Sequence, residues 1–273
     1  MKKISILFAI LFAITIIGAE KKDLPYYDDG FPQTGNLSYL KEQCKLDLLY
    51  PSTEKNFPTL VWFHGGGLTE GKKHIPKLFR TDKIAVVAVS YRLSGKLAQC
   101  PDYIYDAAAA VSWVKKHIAE YGGDPNRIYI AGHSAGGYLT TMLALAPEYL
   151  NAYGMKPHDF AGFFPISGQM TTHFRILAER REKGLKVPAV VLDQYAPIQL
   201  ASSAAPSIVL LVGDPTVEWP ARVEENILLA ARLKYVYKNK QIECHSLPTF
   251  NHSTVVNPAI QVINEKILKK VKK

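Results

Sequence analysis

The chain has 273 residues, 48% of them hydrophobic and 21% charged, which suits one well-cored domain rather than a disordered or fibrous chain. Its formal charge is +9, about +7 without Lys2 and Lys3, and the excess gathers in 234–240 and 266–273, as solvated faces do. No basic repeat interleaved with aromatic residues occurs, which argues against a nucleic-acid partner.

Lys2 and Lys3 precede an almost unbroken apolar run over 4–17, followed by Gly18-Ala19-Glu20. The run is shorter than the ~20 residues a membrane span needs. It reads as a secretory signal peptide over 1–19, leaving a domain over 20–273 with no membrane span, exported to the periplasm or the cell exterior. In an oxidising compartment Cys44, Cys100 and Cys244 allow one bridge and one leftover thiol. Their spacing matches no metal pattern, so they read as packing residues with the pairing open.

A lead rich in Pro, Tyr and Gly covers 21–35. Short apolar runs then predict strands at 45–49, 59–64, 85–90, 127–131, 161–167, 207–212 and 242–247. Between several of them lie helices, over 106–121, 134–146, 222–237 and 258–271. In the first, Ala107, Ala110, Val111, Val114 and Ile118 share one face while Lys115 and Lys116 take the other. Alternating strands and helices, with strands buried on both faces, predict an α/β fold with a mostly parallel central sheet and helices on both sides. Residues 169–196 break the alternation. They read as a partly helical insertion over the pocket, carrying His173 and Phe174.

Ser134 stands at the centre of Gly132-His133-Ser134-Ala135-Gly136, after the strand run 127–131 and before a helix run. That arrangement is a nucleophile elbow. The chain turns so sharply that residues two before and two after the serine must be small, and the helix that follows aims its first N–H groups at the same point. Upstream, the strand run ends in His64-Gly65-Gly66-Gly67, a glycine loop able to turn N–H groups toward a developing oxyanion. The N–H groups of Gly66, Gly67 and Ala135 are the expected donors.

A serine hydroxyl needs a neighbouring base, oriented in turn by a carboxylate. His252, in a loop after the last strand, fits the chain order Ser…acid…His. The acid belongs in Gly213-Asp214-Pro215-Thr216-Val217-Glu218-Trp219. Counted back from the helix near Arg222, Glu218 takes the place and is preferred. Counted from the strand, Asp214 is nearer and remains the alternative.

His64-Gly65-Gly66-Gly67, Tyr91-Arg92-Leu93, Asp106 with Trp113, Tyr121-Gly122-Gly123-Asp124-Pro125 and Gly132-His133-Ser134-Ala135-Gly136-Gly137 occur in an order that resembles the α/β-hydrolases. They look like the branch of hormone-sensitive-lipase-like esterases and bacterial feruloyl and acetyl-xylan esterase relatives. The resemblance implies a serine esterase with no metal or organic cofactor, acting on a small-molecule or polysaccharide-linked ester, with short acyl groups expected. It leaves the oligomeric state open. Two positions depart from the family pattern. Thr216 stands where the acid commonly falls, and Leu68 replaces an aromatic residue after the glycines. Leu68, His133 and His173 are the candidate substrate-binding residues. An amidase, arylformamidase or exopeptidase of the same fold, or a non-catalytic relative that only binds, are the alternatives.

Overall fold

The structure is a computed structural model that describes residues 18–27 and 31–271. The expected signal peptide falls outside them except for Gly18 and Ala19. Eight strands form one sheet: β1 (Ala19–Pro25), β2 (Lys45–Tyr50), β3 (Phe57–Phe63), β4 (Ala85–Val89), β5 (Gly123–His133), β6 (Gly162–Ile166), β7 (Ile208–Val212) and β8 (Ile242–Ser246). Their order is β1-β2-β4-β3-β5-β6-β7-β8. The pairings of β2 with β1 and β4 are antiparallel and those from β4 through β8 are parallel.

Helices α1 (Leu37–Gln43), α2 (Asp102–His117), α3 (Ala135–Leu145), α4 (Pro147–Asn151), α5 (Phe174–Glu182), α6 (Arg222–Ala231) and α7 (Val256–Val271) connect or flank the strands. The period of two along each central strand divides the core. On β3, Phe57, Val61 and Phe63 enter one apolar cluster with α2 and α3, while Leu60 and Trp62 enter the other. Ala259, Ile260, Ile263 and Ile267 of α7 cover that second face. Helices therefore lie on both sides of the sheet.

Three details differ from the sequence reading. The lead at 21–35 was expected to hold no element, yet β1 occupies its start and pairs with β2. The segment expected as one helix over 222–237 leaves the α geometry at Ala231 and closes in a π-helical turn, Arg232–Val236. Helices α1 and α4 carry too short an apolar pattern to be read. All three cysteines are free thiols. Cys44 is buried in the core, and Cys100 and Cys244 pack against it. No helix among the described residues is long and apolar enough to cross a membrane.

Candidate active site

The sheet register gathers the site. Phe63 of β3 lies opposite Gly132 of β5, so the glycine loop and the elbow leave the sheet side by side. Ser134 takes φ 55°, ψ −114°, a strained conformation between strand and helix. A Cβ on Gly132 would collide with the backbone of Gly136, and one on Gly136 with the Phe63 carbonyl. Both positions therefore accept only glycine, which is the physical content of the motif.

His252 Nε2 lies 2.9 Å from Ser134 Oγ, and its Nδ1 lies 2.7 Å from Glu218 Oε1. Nδ1–H donates to the carboxylate, which leaves Nε2 as the acceptor for the serine proton. Glu218 also accepts from the Trp219 N–H at 2.9 Å, from Ser167 Oγ at 2.7 Å and from the Gly213 N–H at 3.2 Å. Burial works to raise its pKa, but the bonds from His252, Trp219 and Ser167 outweigh this and hold the carboxyl down at about 2. Ser134, His252 and Glu218 are all buried.

Asp214 sits elsewhere. It accepts from the Thr249 N–H at 2.7 Å, and from the N–H and hydroxyl of Thr216 at 2.9 and 2.7 Å. Those bonds, Thr249 first, lower its pKa at a solvent-exposed turn. The Asp214 carbonyl takes the Glu218 N–H at 2.8 Å, closing the turn that sends the Glu218 side chain beneath His252. The Asp214 N–H bonds the Phe250 carbonyl at 2.8 Å, tying the acid loop to the histidine loop.

The oxyanion candidates lie on the other side of the serine. Gly66 and Gly67 have φ 109° and 60°, and the Gly66 carbonyl is used by the N–H groups of Thr69 and Glu70. Ala135 opens α3, where helix N–H groups have no intrahelical acceptor. Among the turn and loop bonds of the described residues, none starts from the N–H of Gly66, Gly67 or Ala135. His64 supports this loop from beneath. Its ring stacks on Tyr91 at 4.4 Å, and its carbonyl accepts the Tyr91 hydroxyl at 2.8 Å.

The three expected substrate contacts are differently placed. Leu68 has φ 67° and is fully buried in the larger core cluster, so its side chain packs the fold instead of facing a substrate. His173 is 2% exposed and caps α5, its Nδ1 accepting the Arg175 N–H at 3.2 Å. His133 donates from Nε2 to the His252 carbonyl at 2.7 Å, holding the base's backbone. Burial lowers the His133 pKa to about 4 and keeps the ring neutral. Two further residues complete the site without having been singled out in the sequence. Ser167 shares Glu218 with His252, and Trp219 stacks on the His252 ring. Trp219 adjoins the preferred acid, the one signal that pointed to it.

Helix α5 roofs the cleft, with Phe174 so close to Gly67 that a Cβ there would meet the ring at 3.1 Å. Among the described residues no group of His, Cys, Asp or Glu is arranged to hold a metal ion.

A mostly parallel eight-stranded sheet, a strained serine after β5 and a histidine after β8 define an α/β-hydrolase. The BD-FAE family matches residues 46–242, and the chain belongs to it. Among curated proteins it is similar to the probable carboxylic ester hydrolase LipM of Mycobacterium tuberculosis, 42% identical over 44% of this chain and 28% of that one. It is also similar to liver carboxylesterase B-1 of Rattus norvegicus, 36% identical over 43% of this chain and 24% of that protein. The chain thus spans about a quarter of the length of these relatives. Two solved structures share the fold. A truncated carbohydrate esterase from gut microbiota has TM-score 0.68 and 17% identity, covering 93% of this chain and 97% of its own. The propionate-bound esterase 2 of Thermogutta terrifontis has TM-score 0.67 and 19% identity, covering 93% and 95%.

Proposed function

We propose that this chain hydrolyses carboxylic esters through a Ser134–His252–Glu218 triad and a covalent acyl-enzyme. The observation that carries the reading is the continuous hydrogen-bonded line from Glu218 through His252 to Ser134, at 2.7 and 2.9 Å. Ser134 Oγ attacks the ester carbonyl while His252 Nε2 takes its proton. The tetrahedral oxygen is received by the N–H groups of Gly66, Gly67 and Ala135, where a single lost donor typically costs ~3–4 kcal/mol of transition-state stabilisation. His252 then returns the proton to the leaving alcohol. Water repeats the sequence on the acyl-serine, releasing the acid and restoring the hydroxyl.

The substrates proposed are esters of short acids or acetyl and feruloyl groups linked to polysaccharide. The carboxylesterase and probable carboxylic ester hydrolase names of two curated relatives and the carbohydrate-esterase name of a fold neighbour support this class. Export is part of the proposal and rests on Lys2, Lys3 and the apolar run that follows them.

The test is labelling by a fluorophosphonate, which should modify wild-type protein and fail on Ser134→Ala. It is paired with hydrolysis rates on acetyl, butyryl, octanoyl and feruloyl esters and on acetylated xylan. Turnover of amides above esters would move the chain to an amidase, and absence of both labelling and turnover would make it a binding protein.

A further inference from the structure

Arg222 opens α6 and is 7% exposed, yet its Nε and Nη1 are buried with no hydrogen-bond acceptor among the described residues. The neighbouring carboxylates are already committed. Glu218 serves His252, Ser167, Gly213 and Trp219. Glu225 accepts from the N–H groups of Met170 and Thr171 and from the Thr171 hydroxyl. Burial lowers the Arg222 pKa, and the fields of Glu225 and Glu218 offset only part of this. An arginine keeps its proton under such pressure, so its positive charge sits near Glu218 and Glu225 while Nε and Nη1 have no hydrogen-bonded partner among the described residues. Buried charged donors left without acceptors are among the costlier arrangements a fold can hold.

The location of that charge gives it meaning. Its guanidinium carbon is 6.0 Å from the Trp219 ring centroid, and Trp219 stacks on His252. Its field reaches both His133 and His173. The His173 ring stacks on Phe174 at 4.4 Å, and Phe174 lies against Gly67 of the glycine loop. Arg222 is thus flanked by the stack that backs the base and the stack that roofs the oxyanion loop.

We infer that Arg222 recognises a carboxylate on the ester substrate, making carboxylate-bearing esters the preferred substrate class. The inference rests on the ester-hydrolase reading and narrows it. A guanidinium offers a planar fork that pairs with a carboxylate through charge-assisted hydrogen bonds, so the substrate brings the partner that the protein lacks. The carboxylate can belong to the acid side, as in a half-ester of a dicarboxylic acid, or to the alcohol side, as in an ester of a hydroxy acid.

Two substrate pairs tested on the full chain separate these sources. On the acid side, 4-nitrophenyl hemiglutarate is compared with its methyl ester. On the alcohol side, 4-acetoxybenzoate is compared with methyl 4-acetoxybenzoate. At low salt the charged member of one pair should be favoured by about tenfold or more in kcat/KM, mainly through KM. That preference should persist as salt is raised, because a pair with a buried guanidinium is screened far less than one at the surface. The charged-to-neutral ratio, which cancels intrinsic reactivity when compared between proteins, should collapse in Arg222→Met and fall less in Arg222→Lys. If Arg222→Met does not fold, Arg222→Lys decides. Neutral esters hydrolysed as well as charged ones in both pairs, or a ratio unmoved by the substitutions, would overturn the inference while leaving ester hydrolysis standing. No turnover of all four compounds together with no fluorophosphonate labelling would sink the ester reading, and this inference with it.

Discussion

The Trp219 indole lies nearly parallel to the His252 imidazole, with ring centroids 3.8 Å apart and planes 13° from each other. Trp219 is 49% exposed, so the stack is not a by-product of core packing. It holds the plane of the base, and its π face stabilises the imidazolium that forms when the Ser134 proton arrives, by about 0.5–2 kcal/mol. Trp219→Ala should therefore lower kcat by about tenfold with a smaller change in KM, and Trp219→Phe should recover most of the loss. Steady-state kinetics on 4-nitrophenyl acetate measures this. A kcat within twofold of wild type in the alanine variant would make the stack incidental.

The acid loop offers a clean contrast. Glu218→Gln removes the charge that orients and stabilises the His252 ring, and kcat should fall by roughly 10²–10⁴-fold. Asp214→Asn alters an exposed turn whose bonds lead to Thr216 and Thr249, and kcat should stay within about threefold. The two variants are to be compared at matched folding, checked by circular dichroism. The reverse order of damage would remove Glu218 from the triad.

Glu179 pins the roof. It accepts from the buried Ser94 hydroxyl, from the part-buried Cys100 N–H at 3.0 Å and from the buried Tyr103 hydroxyl at 3.4 Å. Glu179→Ala leaves these donors unanswered, at a cost of ~1–3 kcal/mol. For a chain of this length that is a fall in Tm of roughly 2–12 °C. Because α5 carries Phe174 over Gly67, KM for short esters should rise as well. Unchanged Tm and KM would show that α5 is held by other contacts.

Strands β3, β4, β6 and β7 are legible in the sequence because each is a short apolar run buried on both faces, and β5 because its second half is. Strand β1 is not. Its sequence, Ala-Glu-Lys-Lys-Asp-Leu-Pro, is mostly exposed and is held by backbone pairing to β2. Ser134 and the glycine loop can be read because the backbone demands on them are local, as the Gly132–Gly136 approach illustrates. The acid was narrow for a physical reason. Asp214 and Glu218 differ only in which of them the turn 213–218 sends inward, and that is decided by the Asp214–Thr216 and Phe250–Asp214 bonds. Leu68 misleads for a similar reason. Its left-handed backbone turns the side chain into the core, and residue identity alone does not reveal that. The stacking of Trp219 on His252 and the unpartnered N–H groups of Arg222 depend on distant chain segments meeting, so no local pattern carries them.

Three histidines with depressed pKa values make the fold acid-sensitive. Burial lowers the pKa of His64 to about 4, of His133 to about 4 and of His173 to about 3, with the nearby Arg222 charge adding to the last. In the unfolded chain each takes up a proton near 6.5, as ordinary histidines do. Below that pH the unfolded state binds more protons than the folded one, so stability falls as pH falls. At pH 5 the loss is roughly 2 kcal/mol per histidine, equivalent for the three to a fall in Tm of about 10–20 °C from pH 7. Glu218 acts in a different window. Its folded pKa is depressed to about 2, so its contribution is intact above the ordinary glutamate range and disappears only as pH drops from there toward 2. Calorimetric scans at pH 7, 6 and 5 therefore isolate the histidines, and replacing His64 by Asn should flatten the slope by one proton's share. A Tm that stays level from pH 7 to 5 would mean that these rings protonate inside the fold as readily as outside it.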